Sequence, residues 1–331
     1  MNLLLTFLPA LLFLLFLFLL DSFKLVRVQT LILCVVWGVL CTLAGYVLNT
    51  LAASKLQLDF DFLSRYVSPV IEETLKGLFV YYLITKKKIG FMIDAVIYGF
   101  AIGTGFSLVE NIYYTMNAPP ENNPLIWIVR GFGTAFMHGG CTSLLALMFM
   151  VSINSYSMKI LAFLPGLFLA ILLHSGFNHF PLNPMLQTLL IMVLLPMMFA
   201  VIFMISNKKL QQWLEIEFNS EVDLLYMIRK GEFGKTKAGD YLLSIKSHFP
   251  PETLVDMYCY IGLYLELSIK AKRNLMLQEN GFPIVVEDDI LPKLTELAQL
   301  RRQIGKVGEM ALSPLIRMNY RNLWQLNQLK G

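Results

Sequence analysis

The chain has 331 residues, of which 56% are hydrophobic and only 15% are charged. Soluble domains are roughly 45–50% apolar, so this composition excludes an ordinary soluble protein and indicates a membrane protein. The net charge is only +4, and no basic stripe is interleaved with aromatic residues, which argues against a nucleic acid partner. The four cysteines form no CxxC pair, so neither a disulfide framework nor a thiolate zinc cluster is expected.

Seven apolar runs are long enough to cross a lipid bilayer, which takes about 20 residues. They cover approximately residues 2–20, 29–53, 66–85, 91–116, 125–151, 158–180 and 185–205. The first run has neither a basic segment before it nor a small-residue cleavage site, so a retained helix is expected rather than a signal peptide. The sequence therefore predicts an all-α, polytopic membrane helix bundle of about seven transmembrane helices.

A more polar region follows the bundle. Residues 1–205 form the predicted transmembrane domain, and residues 206–331 are expected to form a soluble α-helical domain. Apolar residues in this second region recur at helical spacing, as in Ile290, Leu294 and Leu297. A tail of this length is interpreted as a binding site for a cytosolic partner.

Lysine and arginine residues predict the orientation of the bundle, because short cytosolic loops carry most of them. Basic residues follow the first, third, fifth and seventh spans, at Lys24, residues 86–88, Lys159 and residues 208–209. The alternate loops at 117–124 and 180–184 contain neither residue type. We therefore expect an outside N-terminus, a cytosolic C-terminus and a location in the cell membrane.

Polar and ionisable residues interrupt four consecutive spans, although an ionisable side chain costs about 2.5–3.5 kcal/mol at a helix centre. They are Glu72, Glu73 and Lys76 in the third span, Asp94, Glu110 and Asn111 in the fourth, Arg130 and His138 in the fifth, and His174, Asn178 and His179 in the sixth. Such residues usually face a protein interior or a wet cavity. With the orientation above, most of the acids and imidazoles fall in the outer half of the bilayer, which predicts one polar cluster.

Some of these residues have a purely structural interpretation. Asp94, Arg130 and His179 lie near span ends and are expected to reach the lipid headgroups. Ser68 and Pro69 resemble an N-cap followed by proline at the first helical position, which would place the next two glutamates favourably near a helix start. The lysine one turn further still needs a partner.

The fourth and fifth spans each present one small or polar face. The stripe of small residues in the fourth span comprises Ala95, Gly99, Gly103 and Ser107. Such a stripe favours close approach of a neighbouring helix, and Glu110 continues it. In the fifth span Arg130 and His138 lie on one polar face. Both faces are therefore expected to point into the protein.

The expected cluster has two carboxylates, two imidazoles and an amide, which suits attack of water on a peptide carbonyl. A buried glutamate can accept the proton of water, and imidazole and amide donors can stabilise the resulting oxyanion. His174 and Asn178 are four residues apart on one helix, so their side chains point the same way. Two histidines with one or two glutamates equally suit an open zinc site. The residue types leave both mechanisms open.

Four motifs resemble those of the PrsW family of intramembrane proteases, within the group that includes the type II CAAX prenyl endopeptidases. They are "EETLK" at 72–76, "FSLVEN" at 106–111, "FMHGG" around His138, and "HSGFN" at 174–178. Their order, spacing and placement in the spans agree over about residues 64–180. The resemblance implies an endopeptidase that cuts a single-span membrane protein. Known members cut membrane-tethered anti-sigma factors from the extracytoplasmic side.

The resemblance also implies roles for seven residues, which are Glu72, Glu73, Lys76, Glu110, His138, His174 and Asn178. The first would activate water, and the next two would position it. The fourth and fifth would complete the water or metal site, and the last two would form the oxyanion side. A zinc ion, if bound, would be held by Glu110, His138 and His174, whereas the prenyl endopeptidases are also described as metal-free.

Two further functions compete with proteolysis. A catalytically inactive scaffold of the same fold would be free to lose part of the residue set, which is complete here. A transporter or proton pathway would also contain glutamates and histidines in its spans. That function predicts a polar path through both leaflets and an inverted repeat, but the inner third of these spans is apolar and no repeat is visible.

Overall fold

A computed structural model describes residues 2–117, 124–284, 287–316, 324–326 and 329. The structure is 84% helical, and these residues contain no strand, which confirms the predicted all-α class. The chain divides into two compact units, Met1–Ser206 and Asn207–Gly331. Most of the predicted external loop at 117–124 lies outside the described residues.

Twelve α-helices lie in the described part of the chain. They are α1 (Asn2–Leu19), α2 (Val28–Leu56), α3 (Phe60–Phe62), α4 (Ser68–Thr85), α5 (Met92–Met116), α6 (Pro124–Ile128), α7 (Ala135–Ser152), α8 (Lys159–Asn178), α9 (Pro184–Arg229), α10 (Lys237–Ser244), α11 (Pro251–Glu279) and α12 (Ile290–Leu312). Two π-helical turns, Leu63–Val67 and Val129–Thr134, precede α4 and α7, and two 3₁₀ turns, Phe233–Lys235 and Lys246–His248, flank α10.

Five helical segments in the described residues are long and apolar enough to cross a membrane. They are Val28–Leu56, Met92–Met116, Leu125–Ser152, Lys159–Asn178 and Pro184–Arg229. The helix α4 carries three charged residues, and the apolar part of α1 is shorter than a full span. The chain is therefore a membrane protein with several spans, and the count of seven stays a prediction.

Helix α5 lies at the centre of the membrane unit. Of its most apolar stretch 83% is buried, against 22% for that of α2. A Cβ atom at Gly103 would lie 2.3 Å from the carbonyl oxygen of His138 on α7, and one at Gly105 would lie 2.0 Å from that of Val35 on α2. Only glycine permits both approaches, so the close packing predicted from the small-residue stripe is confirmed on the α7 side.

Asp94 is a buried helix cap, so the expectation that it reaches the headgroups is wrong. Its carboxylate accepts hydrogen bonds from the backbone N–H groups of Gly90 at 2.7 Å and Phe91 at 2.8 Å. These N–H groups precede α5, where no helical carbonyl lies four residues back, so the carboxylate in the first turn accepts from them and stays in the protein.

The second unit has its own hydrophobic core between α11 and α12. Met257, Tyr260 and Ile261 of α11 are buried in one cluster with Leu297 and Ile304 of α12. The apolar spacing that predicted a helix in this region corresponds to α12. The polar tail is thus a packed helical unit.

Candidate active site

The two π-helical turns lead directly into the helices that carry the candidate residues. The turn Leu63–Val67 precedes α4, and the turn Val129–Thr134 precedes α7. A π-helical turn inserts an extra residue into the helix and is frequent at functional sites. Proline after the first turn and glycines within the second are the sequence signals for this disturbance of the helical register.

The expected helix start at Ser68 is wrong. The helical run begins at Phe60, after Asp59, and continues through the first π-helical turn into α4. Ser68 has helical dihedral angles of −57° and −46°, and no side chain caps α4. The acidic residues of this helix therefore lie beyond a first turn, and a capping role does not account for them.

The chain can stay helical at Pro69 because another helix completes its hydrogen bonds. Proline has no N–H, and bonding to the fifth residue back leaves a further carbonyl without its usual donor. Ser175 Oγ donates to the Arg65 carbonyl at 2.6 Å, and Asn178 Nδ2 donates to the Ser64 carbonyl at 2.9 Å. Both donors belong to α8, which is thereby fastened to the start of α4.

A fully buried ion pair forms the centre of the cluster. Glu73 and Lys76 lie one turn apart on α4, both with 0% exposed side chain, and Lys76 Nζ lies 2.5 Å from Glu73 Oε1. The ammonium group also lies 4.7 Å from the centre of the Phe106 ring. Since both side chains are shielded from solvent, each charge is stabilised by the opposite charge rather than by water.

Glu73 connects this pair to His174 on α8. His174 Nδ1 lies 2.8 Å from Glu73 Oε1, and a carboxylate can only accept, so Nδ1 carries the proton. In the neutral ring Nε2 then has a free lone pair. It faces Glu72 Oε2 at 3.8 Å, which is longer than a hydrogen bond. Two acceptors therefore face each other across a narrow gap.

Lys76 determines the tautomer of His138 on α7. Lys76 Nζ lies 3.2 Å from His138 Nδ1, and an ammonium group can only donate, so Nδ1 must accept. The ring proton is then on Nε2, which lies 3.0 Å from Glu110 Oε2 on α5 and donates to it. The two imidazoles, whose ring centres are 4.8 Å apart, thus have opposite tautomers.

Arg130 on the second π-helical turn belongs to the cluster, so the expectation that it reaches the headgroups is wrong. Its Nη2 lies 3.4 Å from Glu110 Oε2, and its Nε donates to Asn111 Oδ1 at 3.1 Å. The guanidinium lies 3.6 Å from the centre of the Tyr114 ring, and only 15% of the side chain is exposed. The glutamate, the amide and the ring together hold the side chain inside the protein.

Asn49 on α2 contacts the site and is not identified by the sequence motifs. Its Nδ2 donates to Glu72 Oε1 at 3.2 Å, which leaves Oε2 on the side of His174. Gly45, one turn earlier, faces the same glutamate, and a Cβ atom there would make an ordinary contact with Glu72 Cγ at 3.7 Å. The sequence signal is only one amide in a long apolar helix that mostly faces outward.

Six of the seven predicted site residues lie in one connected cluster, which comprises Glu72, Glu73, Lys76, Glu110, His138 and His174. The seventh, Asn178, donates to the first π-helical turn instead. Its role as an oxyanion donor therefore stays a prediction that its observed hydrogen bond does not support.

A zinc ion would need three atoms of the cluster that each have a lone pair available for the metal. Ligand atoms of Glu72, His138 and His174 lie within 4.8 Å of one another, so the converging carboxylate is that of Glu72 rather than of Glu110. An open zinc site takes three protein ligands. Glu72 and His174 each offer a lone pair, but both nitrogens of His138 are engaged, by Lys76 and Glu110. This arrangement does not fit a three-ligand zinc site.

Comparison with known proteins identifies one family. Residues 27–207, more than half of the chain, match the family described as PrsW family intramembrane metalloprotease. The match contains the whole cluster and also Asn49. No curated protein and no solved structure matches the chain.

Proposed function

The chain belongs to the PrsW family and is an intramembrane peptidase, and we propose that Glu72 activates the water that hydrolyses a single-span membrane protein. The observation that carries this proposal is the 3.8 Å gap between Glu72 Oε2 and His174 Nε2. A water molecule beside that gap, at roughly 2.8 Å from both atoms, can donate one hydrogen to each acceptor, which directs its oxygen lone pair outward. Glu72 has 13% of its side chain exposed, and the proposed water reaches it through this opening.

The reaction proceeds by general base and general acid catalysis. Glu72 takes a proton from the water while the water oxygen bonds to the carbonyl carbon of the substrate. The N–H group at His138 Nε2 stabilises the developing oxyanion, exchanging its bond to Glu110 for one to the substrate. The intermediate then breaks its carbon–nitrogen bond, and Glu72 returns the proton to the leaving amine. Glu73 and Lys76 hold both imidazoles in the required tautomers.

The substrate is a membrane-tethered protein, such as an anti-sigma factor, that is cut in the outer half of the bilayer. The distribution of lysine and arginine in the short loops supports an outside N-terminus and a cytosolic C-terminus in the cell membrane. With this orientation the start of α4 and the end of α8, which carry the two sides of the gap, face outward. The substrate segment would therefore be cut near its outer end.

The experiment compares protein termini in membranes from cells that produce the full chain as wild type or as Glu72→Gln. We expect the wild type to generate new termini within the outer half of single-span segments, and Glu72→Gln to generate none of them. The single-span protein that is cut most strongly then serves as the reporter substrate for kinetic measurements in vesicles.

A matched control is Glu221→Gln, which changes a glutamate of the second unit that pairs with a buried lysine. This variant should cut the same proteins as the wild type. Equal sets of termini in wild-type and Glu72→Gln membranes would contradict the proposed function. Thermal unfolding in detergent shows whether each variant is folded. A transition like that of the wild type would exclude misfolding as the cause of lost cleavage.

A further inference from the structure

The first π-helical turn lacks one hydrogen bond that its own backbone cannot make. Ser68 N donates to the Leu63 carbonyl, five residues back. In this register the next N–H would reach the Ser64 carbonyl, but the next residue is Pro69, which has none. Asn178 Nδ2 takes the place of that N–H at 2.9 Å. The side-chain amide thus replaces a missing backbone donor.

A second side chain of α8 bonds the next carbonyl of the turn. Ser175 Oγ donates to the Arg65 carbonyl at 2.6 Å. Next to these bonds, the ring of Tyr66 packs edge-on against His179 with centres 5.0 Å apart. Three consecutive residues of the turn are therefore fixed to the end of α8, the helix that also carries His174.

We propose that Asn178 and Ser175 are positioning residues that set the gap between Glu72 and His174. Glu72 follows Pro69 within one helical turn, so a shift of the π-helical turn moves its carboxylate. His174 lies beside Ser175 on α8, so the two hydrogen bonds fasten together the backbones on either side of the gap. Without them, two carbonyls each lose a hydrogen bond and the turn is no longer fastened to α8.

This role differs from that of an oxyanion donor, which the family resemblance implies for Asn178. An oxyanion donor contacts the substrate, and its loss cannot be repaired in the backbone of another helix. A replacement for the missing N–H of Pro69 becomes unnecessary once residue 69 has an N–H again. The two roles therefore respond differently to one substitution.

The test is a double-substitution cycle with the reporter substrate and the full chain in vesicles. Asn178→Leu and Ser175→Ala should each lower kcat about 10-fold, the equivalent of one lost hydrogen bond, and leave KM nearly unchanged. Adding Pro69→Ala to Asn178→Leu should restore kcat to within about threefold of the wild type, because the new N–H bonds the free Ser64 carbonyl. Adding it to Ser175→Ala should restore nothing, because in this register the new N–H does not reach the Arg65 carbonyl. Pro69→Ala alone should remain close to the wild type.

Failure of Pro69→Ala to restore kcat in Asn178→Leu would overturn the positioning role, as would full activity of Asn178→Leu. If Asn178→Leu does not fold, Asn178→Ala with and without Pro69→Ala decides the question, since it removes the same amide and leaves a smaller side chain. Pro69→Ala should not rescue Glu72→Gln. The inference rests on the proposed role of Glu72. Activity of Glu72→Gln would contradict that role. Absence of rescue by Pro69→Ala would contradict only the positioning role.

Discussion

The two units of the molecule each bury one lysine completely, and only one of these lysines belongs to the proposed site. Lys272 of the second unit lies 2.9 Å from Glu221 and 3.4 Å from Glu217, and 4.9 Å from the centre of the Trp213 ring. Lys76 of the membrane unit likewise has a glutamate and an aromatic ring as neighbours. A buried, compensated charge is therefore not in itself a sign of catalysis.

The difference lies in what the two networks reach next. From Lys272 the network continues through Glu221 to Ser268 Oγ at 2.8 Å and on to Gln325 at 2.6 Å. Neither a hydroxyl nor an amide changes its protonation state near neutral pH. From Lys76 it continues to two imidazoles and to carboxylates that are 13% and 23% exposed. An imidazole can accept a proton at one ring nitrogen and donate from the other, and these two carboxylates are partly open to the surface of the protein. This comparison separates a structural network from a hydrolytic one.

The largest expected effect comes from replacing each buried lysine by methionine. Lys76→Met removes the donor that fixes His138 and leaves Glu73 without its cation, so we expect kcat/KM to fall about 10³-fold. Lys272→Met should lower the free energy of unfolding by about 3 kcal/mol and leave kcat unchanged. Reporter kinetics and thermal unfolding measure both quantities. Equal losses of activity in the two variants would show that the comparison does not hold.

The second effect concerns arginines that pair with glutamates in the two units. Arg130→Gln should lower kcat about 100-fold, because Glu110 loses its cation and no longer holds His138 in place. Arg130→Lys keeps the charge but not the fork of donors, so an intermediate loss is expected. The matched control is Arg273→Gln, which should leave kcat unaltered, because it breaks a partly exposed pair with Glu287 at 2.7 Å in the second unit. Unaltered kcat in Arg130→Gln would show that this arginine does not contribute to catalysis.

A smaller effect is expected at Asn49. Asn49→Leu removes the donor to Glu72 and keeps an apolar surface suited to a membrane helix, so kcat should fall about 10-fold with little change in KM. Thr50→Val is the matched control, since this exposed hydroxyl only bonds the Tyr46 carbonyl of its own helix. A change confined to KM would argue for a role in substrate binding instead of orientation of the carboxylate.

Removal of metal should have the smallest effect. Because both nitrogens of His138 are engaged, the purified chain should contain well below one zinc per molecule, and a chelator should change the rate less than about twofold. Elemental analysis and reporter kinetics before and after chelation measure this. Loss of activity that added zinc restores would mean that Lys76 releases His138 and that the cluster rearranges around the ion.

Most of the candidate site could be predicted because an ionisable group is conspicuous in an apolar run. Glu72, Glu110, His138 and His174 stand out in this way, since each would be costly in contact with lipid. Arg130 does not, because an arginine near a span end looks like a group that reaches the headgroups.

The π-helical turns show a second limit of sequence reasoning. Ser68 and Pro69 have the residue types of a helix start, but the chain stays helical because Ser175 and Asn178 bond the carbonyls at 64 and 65. Those donors come from another helix, more than 100 residues along the chain. Local propensity at Pro69 could not reveal them.

The sequence by itself determined that this chain is a helical membrane protein and that its buried acids and imidazoles must gather, since the cost of a charge in an apolar span depends on residue type alone. Only the tertiary structure decided which atoms meet. Lys76 and His138 are 62 residues apart and meet at 3.2 Å, and this contact sets a tautomer and removes a metal ligand. Such contacts depend on the register between helices, which packing across the bundle fixes to within an ångström.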